Sequence, residues 1–358
     1  MNSPDQNNFG NRLKLARKMA GFSLQELADA LSNKVTKQAL NKYELGLMNP
    51  TTDVLMALSK SLNIKPDYFL KKQQVELGEI TFRKKASLSK KDEESIVEKA
   101  RDYVERNFEI EDILGIECDF SNPLMQYIIS NKSEVEAAAI KLREAWELGN
   151  NPIPNIIEML ELKGIKVLLI EDVDDIDGFS VYTSNGIPLV VINSRGKSIE
   201  RIRFTVIHEL AHLLLNFDES VKSDSKLIEK LCHYFSSCFL IPSKMLIKMI
   251  GGKARTYIAI NELITIKEYY GISIRAIVHR LQELQVITQT YYQRWVIYMS
   301  KTYGQKDEPG NYKGEEKSKN FEQLISRAIS EGLISLSKAA SLCNISINEI
   351  RKGFVGVD

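Results

Sequence analysis

The 358-residue chain has little of several features that would place it in a specialised class of protein. Its four cysteines, Cys118, Cys232, Cys238 and Cys343, are scattered without a CxxC pair, which predicts reduced thiols and excludes a disulfide framework. No stretch approaches 18 uncharged apolar residues, and the polar start MNSPDQNNFG lacks the apolar core of a signal peptide. We therefore expect a cytoplasmic protein without a membrane partner.

Net charge is also almost absent, because 48 Lys and Arg face 47 Asp and Glu, giving +1. This near-zero sum combines two parts of the chain with opposite net charge. Residues 1–72 hold eleven Lys and Arg against six Asp and Glu, a net +5, while the remainder holds 37 against 41, a net −4. A small basic head on a slightly acidic body favours nucleic-acid binding. With 44% apolar and 27% charged residues the composition is that of a folded globular protein of two or three domains.

The spacing of apolar residues predicts several short helices in this head. One runs from Phe9 to Met19, a second begins at the capping box Ser23–Glu26, and a third covers Thr36 to Leu45. The last two match the layout of a helix-turn-helix. Gln and Asn side chains can bond adenine edges and Lys can hold phosphate. The candidate DNA-binding residues on the third helix are Thr36, Lys37, Gln38, Asn41 and Lys42. The alternative is a small helical bundle with an ordinary solvated polar face.

A second motif, His208-Glu209-Leu210-Ala211-His212, lies in an apolar helical stretch. Two histidines at i and i+4 share one helix face and can bind one Zn²⁺, and the intervening Glu209 can act as general base toward water. The alternative is a pair of buried histidines with a structural role only.

A catalytic zinc needs a third protein ligand and one open position. Asp218 and Glu219 are candidates, although they follow the motif too closely to fold back onto the metal easily. Glu229 lies 17 residues beyond His212 on the next apolar helix, although by itself it would be taken for a solvated charge. His233 is one turn further along the same face, either as a residue that supports the ligands from outside or as the ligand itself. Asp224 is a further candidate.

The head resembles the Xre/Cro-like family of phage and prophage repressors. The likeness is carried by Arg12–Arg17, by Gln25-Glu26-Leu27-Ala28 and by Gln38–Gly46. It implies that Gln25 contacts phosphate and that Thr36, Lys37, Gln38 and Asn41 enter the major groove of a double-stranded DNA operator. It also implies a homodimer, because a single domain buries too little DNA for operator-level affinity.

The body resembles the ImmA/IrrE-type zinc metallopeptidases over about residues 130–245. The matching segments include Asp177–Ser180, Arg201–His212 and Glu229–Pro242. The resemblance implies that Glu229 is the third zinc ligand and that the substrate is a repressor protein whose cleavage releases stress or mobile-element genes. Two residues depart from the family, which usually has Asn in place of His233 and often Glu in place of Cys238.

We therefore predict a mainly α protein with a small β-sheet, in which an all-α helix-turn-helix head joins an α+β zincin-like peptidase domain and a helical C-terminal region. The expected parts are a head (1–72), a charged helical connector (73–130), the peptidase domain (131–302), a linker (303–319) and a small helical unit (320–358). Strands are expected at 165–170, 179–182 and 188–193, the last two paired across the turn Asn185-Gly186.

The predicted function is a DNA-binding regulator with a zinc endopeptidase that cuts a repressor-type protein or its own connector, near residues 73–115. The alternative is a non-catalytic repressor or antitoxin-like module that uses the peptidase fold as a sensor or dimer platform.

Overall fold

The computed structural model describes residues 8–32, 34–71, 75–80, 88–171, 176–305 and 307–353. The head is all-α, as predicted, and its helices are α1 (Asn8–Met19), α2 (Leu24–Ala30), α3 (Lys37–Glu44), α4 (Thr52–Leu62) and a short 3₁₀ helix at Pro66–Leu70. The capping box at Ser23 is present, with reciprocal bonds between Ser23 and Glu26. Leu13, Leu27, Leu40 and Phe69 are fully buried and form the centre of the head's own core.

The connector contains one long helix, α5 (Lys90–Ile113), which Ser89 caps through its side chain. Residues 72–74 and 81–87, at the start of the expected connector, lie outside the described residues. Helix α5 packs against the head, and its charged side chains bond to it. Arg12 donates to Glu105 at 2.6 Å in a buried contact, and Lys71 donates to Glu109 at 2.8 Å. The helix is therefore a shared packing surface and not a solvated spacer.

The sheet is small and of mixed direction. Its strands are β2 (Lys166–Ile170), β3 (Gly178–Tyr182) and β4 (Pro188–Asn193), in the order β2-β4-β3. Strand β4 pairs antiparallel with β3, which confirms the predicted hairpin, and Gly186 takes the left-handed conformation that its turn needs. Strand β4 also pairs in parallel with β2. A separate parallel pair joins β1 (Ile128–Ile129) to β5 (Asn216–Phe217).

Helices cover both faces of the sheet and fill the rest of the body. Ala100 and Val104 of α5 pack with Phe179 and Val191 on one face. The opposite face packs in a second core against the helix that carries the His motif. The body helices are α6 (Lys132–Ala145), α7 (Ile156–Leu162), α8 (Ile199–Leu214), α9 (Glu219–Lys222), α10 (Ser225–Leu240), α11 (Ser243–Met249), α12 (Ile260–Tyr270), α13 (Ile274–Glu283) and α14 (Gln289–Tyr303).

The sequence Ser133-Glu134-Val135-Glu136 has the pattern of a capping box, which predicts a helix start at Ser133, but α6 begins earlier. The cap is Asn131, whose side-chain oxygen accepts from the backbone N–H groups of Ser133 and Glu134. The helix begins earlier because an Asn carboxamide at this position satisfies two N–H groups of the first turn that have no partner within the helix.

The C-terminal unit comprises α15 (Asn320–Ser330), α16 (Leu336–Cys343) and α17 (Ile347–Gly353). It packs against Ile110 of α5. The predicted linker before it lies on the body. Its Glu316 is buried, pairs with the buried Arg203, and accepts from the backbone N–H groups of Ile156 and Ile157.

The expected class, mainly α with a small sheet, is confirmed, while the domain boundaries stay predictions. Within the described ranges, no helix is both long and apolar enough to cross a bilayer.

Candidate functional site

Helix α8 presents the two motif histidines on one face. Ser198 caps the helix by accepting from the N–H of Arg201, and the apolar residues around the motif pack into the body's core. His208 and Glu209 are 5% and 3% exposed. Because residues four apart lie one above the other on a helix, His208 and His212 point to the same side, with ring centroids 5.0 Å apart.

Helix α10 brings Glu229 to this pair. Asp224, one of the ligand candidates, instead caps α10 by accepting from the N–H groups of Lys226 and Leu227. The two carboxylate oxygens of Glu229 face different histidines. Oε2 lies 3.5 Å from Nε2 of His208, and Oε1 lies 3.8 Å from Nε2 of His212. The structure thus brings the three expected ligands together across two packed helices.

Two imidazoles and a carboxylate form a donor set that suits zinc, which binds N and O atoms at about 2.0–2.2 Å. Donor atoms around one tetrahedral zinc are about 3.3 Å apart, given these bond lengths. The distances from Glu229 to the two histidines are close to that separation. The types of these donors and the two distances to Glu229 therefore fit the metal that the sequence predicts.

His233 also lies inside this cluster. Its ring centroid is 4.3 Å from that of His208, and its other neighbour is the ring of Phe204, stacked at 5.6 Å. One donor atom each from His208, Glu229 and His233 lie within 4.8 Å of one another. His233 is exposed as a residue, so it borders the site on the solvent side.

Strand β3 forms a wall beside Glu209. The hydroxyl of Ser180 donates to Oε2 of Glu209 at 3.4 Å, and Tyr182 donates to the carbonyl of Leu213 at 2.9 Å. Burial raises the pKa of Tyr182, which keeps this phenol protonated as a donor. Sequence reasoning assigned no role to Ser180, although it lies in the matching segment Asp177–Ser180. The resemblance therefore included Ser180, but only the packing of the sheet against α8 shows that Ser180 contacts Glu209.

The other ligand candidates lie apart from the metal cluster. Asp218 caps α9 by accepting from the N–H of Ser220, and Glu219 bonds to Lys222 at the surface. His279 faces Glu283, four residues further along α13, at 3.6 Å. Helices α12 and α13 bury Leu263, Ile277 and other residues in the body's core.

The candidate DNA-binding residues lie on an exposed surface of the head. Gln25, Lys37, Gln38, Asn41 and Lys42 are exposed on α2 and α3, while Leu40 and Tyr43 face the core. Gln25 donates to Asp29 at 2.9 Å. Thr36 is the N-cap of α3, and its hydroxyl accepts from the N–H of Ala39 at 3.2 Å. The arrangement leaves α3 accessible along its polar side, as a helix that enters a groove requires.

The fold and these two surfaces define a class: a helix-turn-helix regulator joined to a domain of metallopeptidase type. A helix-turn-helix family model matches residues 13–69, and the model described as the IrrE N-terminal-like domain, of peptidase family M78, matches residues 161–282. The chain belongs to the HTH-type transcriptional regulators through its head and carries an IrrE-like M78 domain in its body.

Two curated relatives are HTH-type transcriptional regulators. The SPbeta prophage-derived uncharacterized HTH-type transcriptional regulator YonR of Bacillus subtilis (strain 168) is 40% identical over 74 residues, which are 20% of this chain and 67% of that protein. The HTH-type transcriptional regulator ImmR of the same organism is 39% identical over 67 residues, 19% of this chain. The chain spans about half of the length of ImmR.

Proposed function

We propose that this regulator binds an operator as a homodimer through α3 and that its body is a zinc-dependent endopeptidase. The observation that carries the enzymatic part is the cluster of His208, His212 and Glu229 with Glu209 buried beside it. A ligand set needs only the first three residues, whereas a carboxylate between the two histidines is the group that hydrolysis requires.

In this proposal His208, His212 and Glu229 would hold the metal. Zinc, when bound, acts as a Lewis acid and lowers the pKa of water to about 7. Glu209 accepts the proton of the attacking water and donates it to the leaving amine. Ser180 holds the Glu209 carboxylate from the side of β3. The low exposure of Glu209 keeps this proton transfer away from bulk solvent.

A repressor-type partner is the favoured substrate. The chain's own connector is the other candidate, but its main described part is helix α5. Residues such as Ile96, Ala100 and Val104 of that helix are fully or almost fully buried. To be cut there, the helix would have to unfold and separate from both the head and the body. A separate substrate protein does not require this unfolding.

The test compares cells that make the wild-type full chain with cells that make Glu209→Gln, with and without DNA damage. General acid–base catalysis contributes about 10²–10⁴-fold, so fragments present with the wild type should fall at least 100-fold with the variant. Protein fragments are identified by mass spectrometry of new N-termini. Identical fragment sets would overturn the peptidase and favour a non-catalytic regulator.

Zinc content provides the control for that comparison. Glu209→Gln keeps all three ligands and should retain one zinc per chain, whereas His208→Ala should lose it. If His208→Ala bound zinc stoichiometrically, the proposed ligand set would be wrong.

A further inference from the structure

Each of the two site helices presents a pair of donors one turn apart. On α8 the pair is His208 and His212, and on α10 it is Glu229 and His233. Residues at i and i+4 lie on the same face of a helix, so both members of each pair point into the space between the helices. The two helices therefore carry four candidate donors on their facing sides, one more than a catalytic zinc site usually takes from its protein.

The position of His233 within this group is well defined. Its ring lies between two others, with centroids 4.3 Å from His208 and 5.6 Å from Phe204, the latter nearly parallel at 28°. It has a donor atom within 4.8 Å of donors on both His208 and Glu229. A residue that only supports a ligand from outside would bond to the far side of that ligand. His233 instead lies with the donors.

We propose that His233 is a fourth protein ligand, which in the resting protein fills the coordination position that a catalytic zinc site leaves open. The inference rests on the proposed zinc site. Four protein ligands are typical of closed zinc sites, and an open position is typical of catalytic ones. Because His233 is exposed while His208 is buried, His233 can leave the cluster without disturbing the remaining ligands. The peptidase is then latent until a substrate displaces this side chain.

The number of imidazoles on the metal tests the proposal directly. X-ray absorption at the zinc edge of the zinc-loaded full chain should show three imidazoles in the wild type and two in His233→Ala. Zinc affinity, measured by competition with a chelator, should fall in this variant beyond the roughly 10–100-fold that loss of an outer partner causes. The matched control is His279→Ala, since His279 is exposed on α13 and pairs with Glu283. It should keep three imidazoles and full affinity.

The outcomes separate this inference from the proposed function. A wild-type protein that binds zinc with two imidazoles would overturn the fourth ligand and leave the zinc site intact. Three imidazoles in both the wild type and His233→Ala would also overturn it. A wild-type protein that binds no zinc would overturn the proposed function itself. The wild-type spectrum decides the count even if the variant does not fold.

Discussion

At the scale of single residues, Gly178 sets how closely β3 approaches the Glu209 side chain. A Cβ atom at this position would lie 2.6 Å from the carbonyl oxygen of Val191, 2.9 Å from Cδ1 of Ile192 and 3.5 Å from Cγ of Glu209. The first contact is to the backbone of the central strand, so the sheet would have to shift. We expect Gly178→Ala to lower the free energy of unfolding by about 1–3 kcal/mol, as overpacking does. Urea denaturation measures the change.

A glycine in open surroundings provides the control. Gly353, at the end of α17, has nothing within 4 Å of an added Cβ. Gly353→Ala should leave the free energy of unfolding within about 0.5 kcal/mol of the wild type. Equal effects of the two substitutions would show that the close approach of β3 is not what makes Gly178 necessary.

The residues of the site differ in how far the sequence could predict them. His208, Glu209 and His212 follow from spacing alone, because a helix fixes the relation of residues four apart. Glu229 needed the resemblance, since only the packing of α10 on α8 brings it to the histidines. Ser180 was not predicted, because its contact with Glu209 depends on where the sheet meets the helix. A local pattern of residues predicts contacts within one helix, but it does not predict contacts that depend on how two elements pack.

At the scale of elements, one carboxylate of α5 bonds to both the head and the C-terminal unit. Glu109 accepts from Lys71 of the head at 2.8 Å and from Lys338 of α16. Partial burial raises the pKa of Glu109, but the hydrogen bonds and charges of the two lysines outweigh it, so the net pKa is below the usual 4.5. A carboxylate with a lowered pKa stabilises the fold above its ordinary pKa, and this contribution is lost as the pH falls through the lowered value.

We therefore expect Glu109→Gln to lower the free energy of unfolding by about 1 kcal/mol at pH 7, a modest value because both lysines are partly exposed. The difference from the wild type should shrink as the pH falls below about 4.5. Urea titrations from about pH 8 down to about pH 3 measure it. Glu331→Gln, which removes a surface pair with Arg327, should have almost no effect. A loss at Glu109 that is the same at every pH would contradict the electrostatic origin.

Only part of the sheet could be predicted from the sequence. The hairpin of β3 and β4 was predictable, because Asn185-Gly186 is a local turn signal. The parallel pairing of β4 with β2 was not, since the two strands are not consecutive in the chain. Helix α5 was predicted as a charged connector, yet its charges bond to other parts of the protein. A count of charges does not show whether they face water or a partner.

At the scale of the whole molecule, several positive charges of the basic head are paired with carboxylates. Of its cations, Arg12 pairs with Glu105, Lys18 with Glu94 and Lys71 with Glu109, all on α5. Arg17 pairs with Glu44 inside the head. The net +5 of residues 1–72 therefore overstates the charge available to DNA. The exposed lysines of α3, Lys37 and Lys42, remain on the surface that faces a groove in our proposal.

This distribution of charge predicts two different effects of substitution on DNA binding by the full chain, measured against a site that the wild type selects from a random duplex library. Gln38→Ala with Asn41→Ala should weaken that site at least about 30-fold and leave non-specific binding unchanged, because base contacts carry sequence information. Lys42→Gln should weaken both specific and non-specific binding. It should also reduce the slope of log affinity against log salt concentration by about one, because one phosphate contact is lost. Lys248→Gln, which removes the same charge from an exposed position on the body, should change neither. If Lys248→Gln reduced the slope as much as Lys42→Gln, the attraction would come from the whole molecule's charge and not from α3.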